Sequence, residues 1–347
     1  MVYLLQSLLL PFLCCADLAV SFPLNNTRKW NGWRNVKYIF VFGDSYSTTG
    51  FRSTGVEPSA GNPMGNPSYP GLTSSNGPNW VDFLTTKYNH SLVLTYNIAR
   101  GGATVDSGLV APTSGSALSI SEQVKEIYLP TYASKPDNAP WSDCDSLFAF
   151  FIGVNDVGNS YKLHKPKINA LVFEEYKGLI DEVYQSGARN FMFLNVPPIQ
   201  RAPKTALAPN ASAQGLVEKE STAIADWNMR LVNMASNLTS TYSDATAFVF
   251  DTYGLFNNAL DNPKAYEQTK MLKNTTNFCA SYEDGTSKPD TFNRNCIYPV
   301  DEYFWLNSLH PTGAIHNAMA FQLAQMMSKP VYPSLLQLIA GGRFMWS

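Results

Sequence analysis

Residues 38–50 read "YIFVFGDSYSTTG". An apolar run, 38–42, stops abruptly at Gly43-Asp44-Ser45. A near-continuous run of this kind, rather than strict alternation, is what a strand buried on both faces shows. Two readings of the stop compete. Glycine, aspartate and serine all favour turns, so the stretch taken alone is a turn between elements. Alternatively, Ser45 is a nucleophile presented at the edge of a sheet.

The rest of the chain bears on that choice. Four further apolar runs, at 92–98, 147–152, 190–196 and 246–250, have the same buried-strand character. Helical patterns cover 79–88, 119–127, 167–186, 211–238 and 313–327, and the third ends in "QSGARN", where Gly187 suits a left-handed stop. Strands alternating with helices imply a three-layer α/β/α sandwich around a parallel sheet of about five strands. In such sheets the ligand site lies beyond the carboxyl ends of the strands. Ser45 lies there, as do "NIARGGATVDSG" (97–108) and "GVNDVGNSY" (153–161). Residues 50–79 are too long for a plain connector, which makes them a lid, a wall or an excursion. Residues 257–303 form a second elaborated loop region. No shift in composition marks a boundary, so 22–347 is expected to be a single domain.

The chain has 347 residues, 45% hydrophobic and 13% aromatic, with a formal net charge of −2. This is ample for a core, and without a long Lys/Arg block it excludes a protein built around a nucleic-acid face. Residues 1–20, "MVYLLQSLLLPFLCCADLAV", are almost wholly apolar but interrupted by Gln6, Ser7, Pro11 and Asp17. They fit a signal peptide over 1–21, cleaved between Cys15 and Phe22, with a signal anchor as the alternative. No later stretch approaches the ~20 apolar residues of a membrane span. Asn-x-Ser/Thr sequons at Asn25, Asn89, Asn210, Asn237 and Asn274 agree with secretion. Removing the signal peptide leaves Cys144, Cys279 and Cys296. A Cys279–Cys296 disulfide is expected in an oxidising compartment, with Cys144 a buried free thiol.

A serine nucleophile needs a base and oxyanion donors. Four histidines are available. His90 lies inside a sequon and His164 in a polar loop. His310, in "WLNSLHPTG", stands in a loop before a helix and is free to reach a strand end. His316 follows on that helix, where a surface position is the plainer reading. Gly101-Gly102 and Asn155-Asp156 can supply backbone and side-chain donors, although both dipeptides are ordinary in turns. The chain lacks the Gly-x-Ser-x-Gly elbow, because position 47 is serine.

Taken in order, "FGDSYS", "NIARGGAT", "FIGVNDVG" and "LHPT" resemble the SGNH, or GDSL, hydrolase superfamily, whose four blocks supply Ser, Gly, Asn and His. The stretches "FVFGDSYSTTGF", "GNPSYPG", "NWVDFLT", "YNIARGGATVD" and "WLNSLHPT" are similar to fungal secreted acetylesterases of carbohydrate esterase family sixteen. The resemblance spans about residues 37–327 and implies a flavodoxin-like SGNH fold. It implies Ser45 as nucleophile, His310 as general base, and an oxyanion hole of Ser45 N–H, Gly102 N–H (Gly101 if the register differs) and the Asn155 amide. Asp44 and Asp156 would shape their loops. The triad acid of the superfamily, three residues before the histidine, is Asn307 here. An amide can orient the imidazole but cannot stabilise its cation by charge; Asp301 is the alternative acid.

The function implied is a secreted, monomeric serine esterase, without metal or cofactor, acting through an acyl-Ser45 intermediate. Its substrates would be acetylated plant cell-wall (hemicellulose) oligosaccharides or small acetyl esters, with no nucleic-acid or membrane partner. Trp80, Trp305, Tyr69 and Tyr161 are candidates to stack on sugar rings or to pack. A GDSL lipase or phospholipase, and an inactive carbohydrate-binding scaffold, are the alternatives.

Overall fold

Six strands form one parallel sheet: β1 (Tyr38–Gly43), β2 (Leu94–Asn97), β3 (Ser146–Phe151), β4 (Asn190–Leu194), β5 (Thr246–Phe250) and β6 (Gln337–Ile339). The structure is a computed structural model that describes residues 30–113, 117–163, 167–208, 213–329 and the backbone of 337–339. The expected signal peptide at 1–21, the sequons at Asn25 and Asn210, and His164 lie outside the described residues. The sheet order is β2-β1-β3-β4-β5-β6. Five strands fall on the five apolar runs. The sixth, three residues pairing parallel to β5, was not expected.

In chain order the α-helices are α1 (Trp80–Thr86), α2 (Ile120–Glu122), α3 (Leu129–Tyr132), α4 (Val154–Ser160) and α5 (Ile168–Gln185). There follow α6 (Pro203–Ala206), α7 (Ala213–Thr241), α8 (Thr252–Asp261) and α9 (Gly313–Met327). The helix expected at 119–127 is longer and less regular: a π segment, Gln123–Tyr128, joins α2 to α3 and carries the helical path to Tyr132. Helix α7 runs beyond the expected end at 238. Short helices α4, α6 and α8 escaped the pattern reading because fewer than three turns leave little periodicity to detect.

The sandwich follows from side-chain parity along the strands. Phe42 and Phe150 stack across β1 and β3 at 4.6 Å and meet Tyr128 and Tyr176 on one face. Phe151, one residue on, faces the other way and meets Trp80 of α1 and Tyr46. Helices α1, α8 and α9 pack together on this second face, whereas α2, α5 and α7 cover the first. Both faces are therefore covered, every residue of β3, β4 and β5 is buried, and the runs could be apolar throughout. Gly187 takes φ +108° just beyond α5, as its stop position requires.

Sequence order reverses at β1, whose neighbours are β2 and β3. That reversal opens the crevice in which doubly wound sheets bind ligands, outside the carboxyl ends of β1 and β3. Ser45 follows β1, and Asn155 lies in the first turn of α4 just after β3.

Candidate active site

Residues 44–47 are a turn, and the turn is pinned from several sides. Gly43 exchanges two hydrogen bonds with the buried Gln123 side chain, N–H to Oε1 and C=O from Nε2, both 2.9 Å. A Cβ at position 43 would stand 2.5 Å from the Phe151 carbonyl oxygen, so only glycine fits there. Asp44 Oδ1 accepts the Tyr46 N–H at 2.9 Å. Asn79 caps α1 with its side-chain oxygen, and its amide donates to the Ser47 and Thr48 carbonyls at 2.9 Å. Asn97 donates to the same Ser47 carbonyl at 2.7 Å, and Trp80 Nε1 donates to Ser47 Oγ at 3.1 Å. Serine at position 47 is thus an acceptor that the elbow glycine could not be. The outcome is a half-exposed Ser45 on a buried, rigid support.

The histidine loop is tied to this turn by Tyr46, whose hydroxyl donates to the Leu309 carbonyl at 2.7 Å. His310 Nε2 lies 2.8 Å from Ser45 Oγ. On its other side, His310 Nδ1 lies 3.1 Å from Asn307 Oδ1. The same oxygen accepts the backbone N–H groups of Leu309 and His310 at 3.1 and 2.8 Å. Three donors converging on one atom fix the amide orientation and place the His310 proton on Nδ1. The Nε2 lone pair then faces the Ser45 hydroxyl. The Asn307 amide donates onward to the Glu283 carbonyl at 3.4 Å. Burial, reinforced by the Lys204 charge, lowers the His310 pKa to about 4, so the imidazole is neutral over most of the pH range.

Gly102 takes φ +80°, whereas Gly101 shows no positive φ. Neither the Ser45 nor the Gly102 N–H has an acceptor among the described residues. The loop that carries Gly102 is held beside Ser45 by the Arg100 N–H, which donates to the Gly43 carbonyl at 3.0 Å. The buried Asn155 amide donates to the Ala103 carbonyl at 2.9 Å, leaving its second N–H free. Asp156 Oδ1 accepts the Val105 N–H at 3.0 Å and braces the same loop. Burial, with Asp156 nearby, raises the Asp44 pKa to about 8, and burial raises that of Asp156 to about 7.

An open cavity of about 850 Å3 lies over His310 and Asn307. One wall comes from residues 69–78 and the other from Glu283, Asp284, Gly285, Thr286, Ser287 and Pro289. The Cys279–Cys296 disulfide closes the loop that carries this second wall, and Asn76 joins the walls by hydrogen bonds to Thr286. Tyr69 stands in the wall, 48% exposed.

Several expectations are corrected. His316 is buried on α9 against Tyr46 rather than on the surface, and burial lowers its pKa to about 3. Trp80 and Trp305 are fully packed and unavailable to a sugar, and Tyr161 does not line the cavity. Cys144 is half-exposed, not buried, with its thiol 3.3 Å from Ser142 Oγ. Asp301 is exposed and makes no contact with His310, whose Nδ1 partner is Asn307. His90 is exposed. Sequence reasoning missed Gln123, Asn79 and Tyr46, whose partners Gly43, Ser47 and Leu309 lie far away in the chain. Among the described residues no group of three or more His, Cys, Asp or Glu is placed to hold a metal, and no helix is long and apolar enough to cross a membrane.

Comparison with known proteins adds independent information. The family model for GDSL-like lipase/acylhydrolase matches residues 39–323. An acetylesterase of Thermothelomyces thermophilus is 43% identical over 235 residues, 67% of this chain and 76% of that protein. An acetylesterase of Hypocrea jecorina is 21% identical over 84% of this chain and 89% of its own. Among solved structures, an acetylxylan esterase from Geobacillus stearothermophilus aligns with a TM-score of 0.43 at 14% identity, covering 84% of this chain and 94% of its own.

Proposed function

The chain belongs to the GDSL-like lipase/acylhydrolase family and is a carboxylic ester hydrolase, and from that premise we propose that it removes acetyl groups from hemicellulose oligosaccharides outside the cell. The observation that carries the chemistry is the Ser45–His310 contact of 2.8 Å beside N–H groups that have no acceptor among the described residues. His310 Nε2 takes the Ser45 proton as Oγ bonds to the acetyl carbonyl carbon. The carbonyl oxygen, now an anion, is received by the Ser45 and Gly102 N–H groups and the free Asn155 N–H. Imidazolium His310 then protonates the departing sugar oxygen as the ester bond breaks. Water repeats the sequence in reverse roles and releases acetate and free Ser45. Throughout, Asn307 holds the tautomer.

Support for acetyl and for glycan comes from the acetylesterase relative and from the wall chemistry. Hydroxyl, amide and carboxylate side chains, including Glu283 and Asp284, are interspersed with apolar ones in the cavity wall, which suits the mixed surface of a sugar and repels a phosphate headgroup. The disulfide and the exposed sequon at Asn237 support an extracellular setting. The test is a panel of aryl esters and acetylated xylo- and manno-oligosaccharides, with products located by NMR. Acetate is expected to be cleaved fastest, and Ser45→Ala is expected to lose about a thousandfold or more. Faster turnover of octanoate would transfer the assignment to a lipase. Failure of a serine-directed phosphonate to label Ser45 would indicate an inactive scaffold.

A further inference from the structure

A second cavity, of about 360 Å3, shares Leu72 with the first. Its volume is within the ~300–1,000 Å3 of small-ligand sites. Gly50, Phe51 and Arg52, from the loop that leaves Ser45, form part of its lining, and Arg100, from the loop that carries Gly102, forms another part. It is therefore built from the two loops that make the candidate oxyanion hole.

Its two charges are both positive, and neither makes an ion pair among the described residues. Arg100 Nη1 donates to the Ile98 and Ala99 carbonyls at 2.8 and 3.1 Å. Its Nε–H and Nη2–H edge, the one that pairs side-on with a carboxylate, has no acceptor among the described residues. Arg52 is held through its backbone alone, which exchanges hydrogen bonds with the Asn66 side chain at 3.1 and 2.8 Å. Its guanidinium is exposed and makes no ion pair among the described residues. Burial, and after it the Arg52 charge, lowers the Arg100 pKa. The neighbouring carboxylate, Glu57, is engaged by the Tyr132 hydroxyl at 2.9 and 3.2 Å and does not line the cavity. Two guanidinium groups line one cavity with no carboxylate among the described lining residues. Such a pair is neutralised by an external anion.

We propose that this cavity is an anion subsite that receives the carboxylate of a uronic acid carried by the acetylated glycan; the inference rests on the ester-hydrolase reading above. The larger cavity has Glu283 and Asp284 in its wall and no Lys or Arg, so an anion spread over the whole ligand is repelled there. A neutral chain with one carboxylate satisfies both cavities, its charge at Arg52 and Arg100 and its hydroxyls along the acidic wall.

The experiment compares kcat/KM for an acetylated neutral oligosaccharide and for the same oligosaccharide bearing one uronic acid. The acidic-to-neutral ratio is expected on the order of ten at low salt and should fall toward one as salt screens the pair. Arg52→Gln and Arg100→Gln are each expected to lower the ratio several-fold; as a ratio it cancels general damage, and Arg52→Gln decides if Arg100→Gln does not fold. A wild-type ratio of one, or a ratio indifferent to both substitutions, overturns the subsite. Preferential turnover of anionic phospholipid vesicles over both glycans overturns it as well. If wild-type protein does not hydrolyse p-nitrophenyl acetate, the ester-hydrolase reading fails instead; hydrolysis with a ratio of one sinks the subsite alone.

Discussion

Replacing Asn307 with aspartate puts a full negative charge 3.1 Å from His310 Nδ1. The carboxylate can accept the three N–H groups that Asn307 Oδ1 accepts now. The only bond lost is the long one, 3.4 Å, to the Glu283 carbonyl. The wild-type imidazole has a pKa of about 4 because it is buried and faces Lys204, with no anion to offset either. An opposite charge at contact distance raises a pKa by ~1–3 units, which places His310 of the variant between about 5 and 7. The base works only when neutral, so activity is lost as pH falls through that value. At pH 5 the wild-type base is ~90% neutral, whereas a variant with a pKa near 6 is only ~10% neutral. At pH 8 both are neutral, and the anion stabilises the imidazolium that develops in the transition state. Two pKa units correspond to ~2.7 kcal/mol; if half is felt at the barrier, kcat/KM rises by about tenfold. Profiles of kcat/KM against pH for aryl acetate should therefore cross near pH 5, the variant slower below that value and about tenfold faster above about pH 7. An unshifted acidic limb, with activity lowered equally at every pH, would refute the orienting role of Asn307 and leave it a loop-shaping residue.

Three further outcomes follow from buried groups. Asp44 holds its proton in the fold up to about pH 8, whereas the unfolded carboxyl ionises near its ordinary value. Its contribution is thus full at low pH and is lost as pH rises toward 8. Asp44→Asn keeps the acceptor for Tyr46 N–H, so thermal unfolding at pH 5 and pH 8 should show a flatter dependence than wild type; an unchanged slope would mean Asp44 is not the group responsible. Gln123→Leu leaves the buried Gly43 N–H without an acceptor and its C=O with the Arg100 N–H alone, a loss of ~1–3 kcal/mol that denaturant titration would register, with kcat falling alongside because Ser45 loses part of its anchor. Serine at both Cys279 and Cys296 opens a loop of 17-residue separation, costing ~3 kcal/mol and raising KM for oligosaccharides more than for aryl acetate, since the freed loop is a cavity wall. Equal changes in both KM values would detach that loop from substrate binding.

What could be read in the chain, and what could not, divides along the range of the interactions involved. Strands β1 to β5 were legible because burial on both faces demands uninterrupted apolar runs, a local property. Ser45, Gly102, Asn155 and His310 were legible because each occupies a punctuated loop at a strand end or before a helix. Gln123 was not, because its partner Gly43 lies 80 positions earlier and nothing local distinguishes it from a helix-surface glutamine. His316 was misplaced for the same reason: the spacing puts it on α9, but only the packing of Tyr46 and Phe256 beneath that helix decides that its face is inward. The disulfide loop was recognised as elaborated, yet its role as a wall depends on Asn76 and Asn307, which reach it from both ends of the described chain. Position 307 unites these cases. In the sequence it was a departure from an acid; in the structure its amide does two things that a carboxylate could not do together, accepting from His310 and donating to Glu283. The residue that leaves His310 without an anionic partner is the one that links it to the cavity wall through Glu283, and the Asn307→Asp profile and its oligosaccharide KM measure the two effects separately.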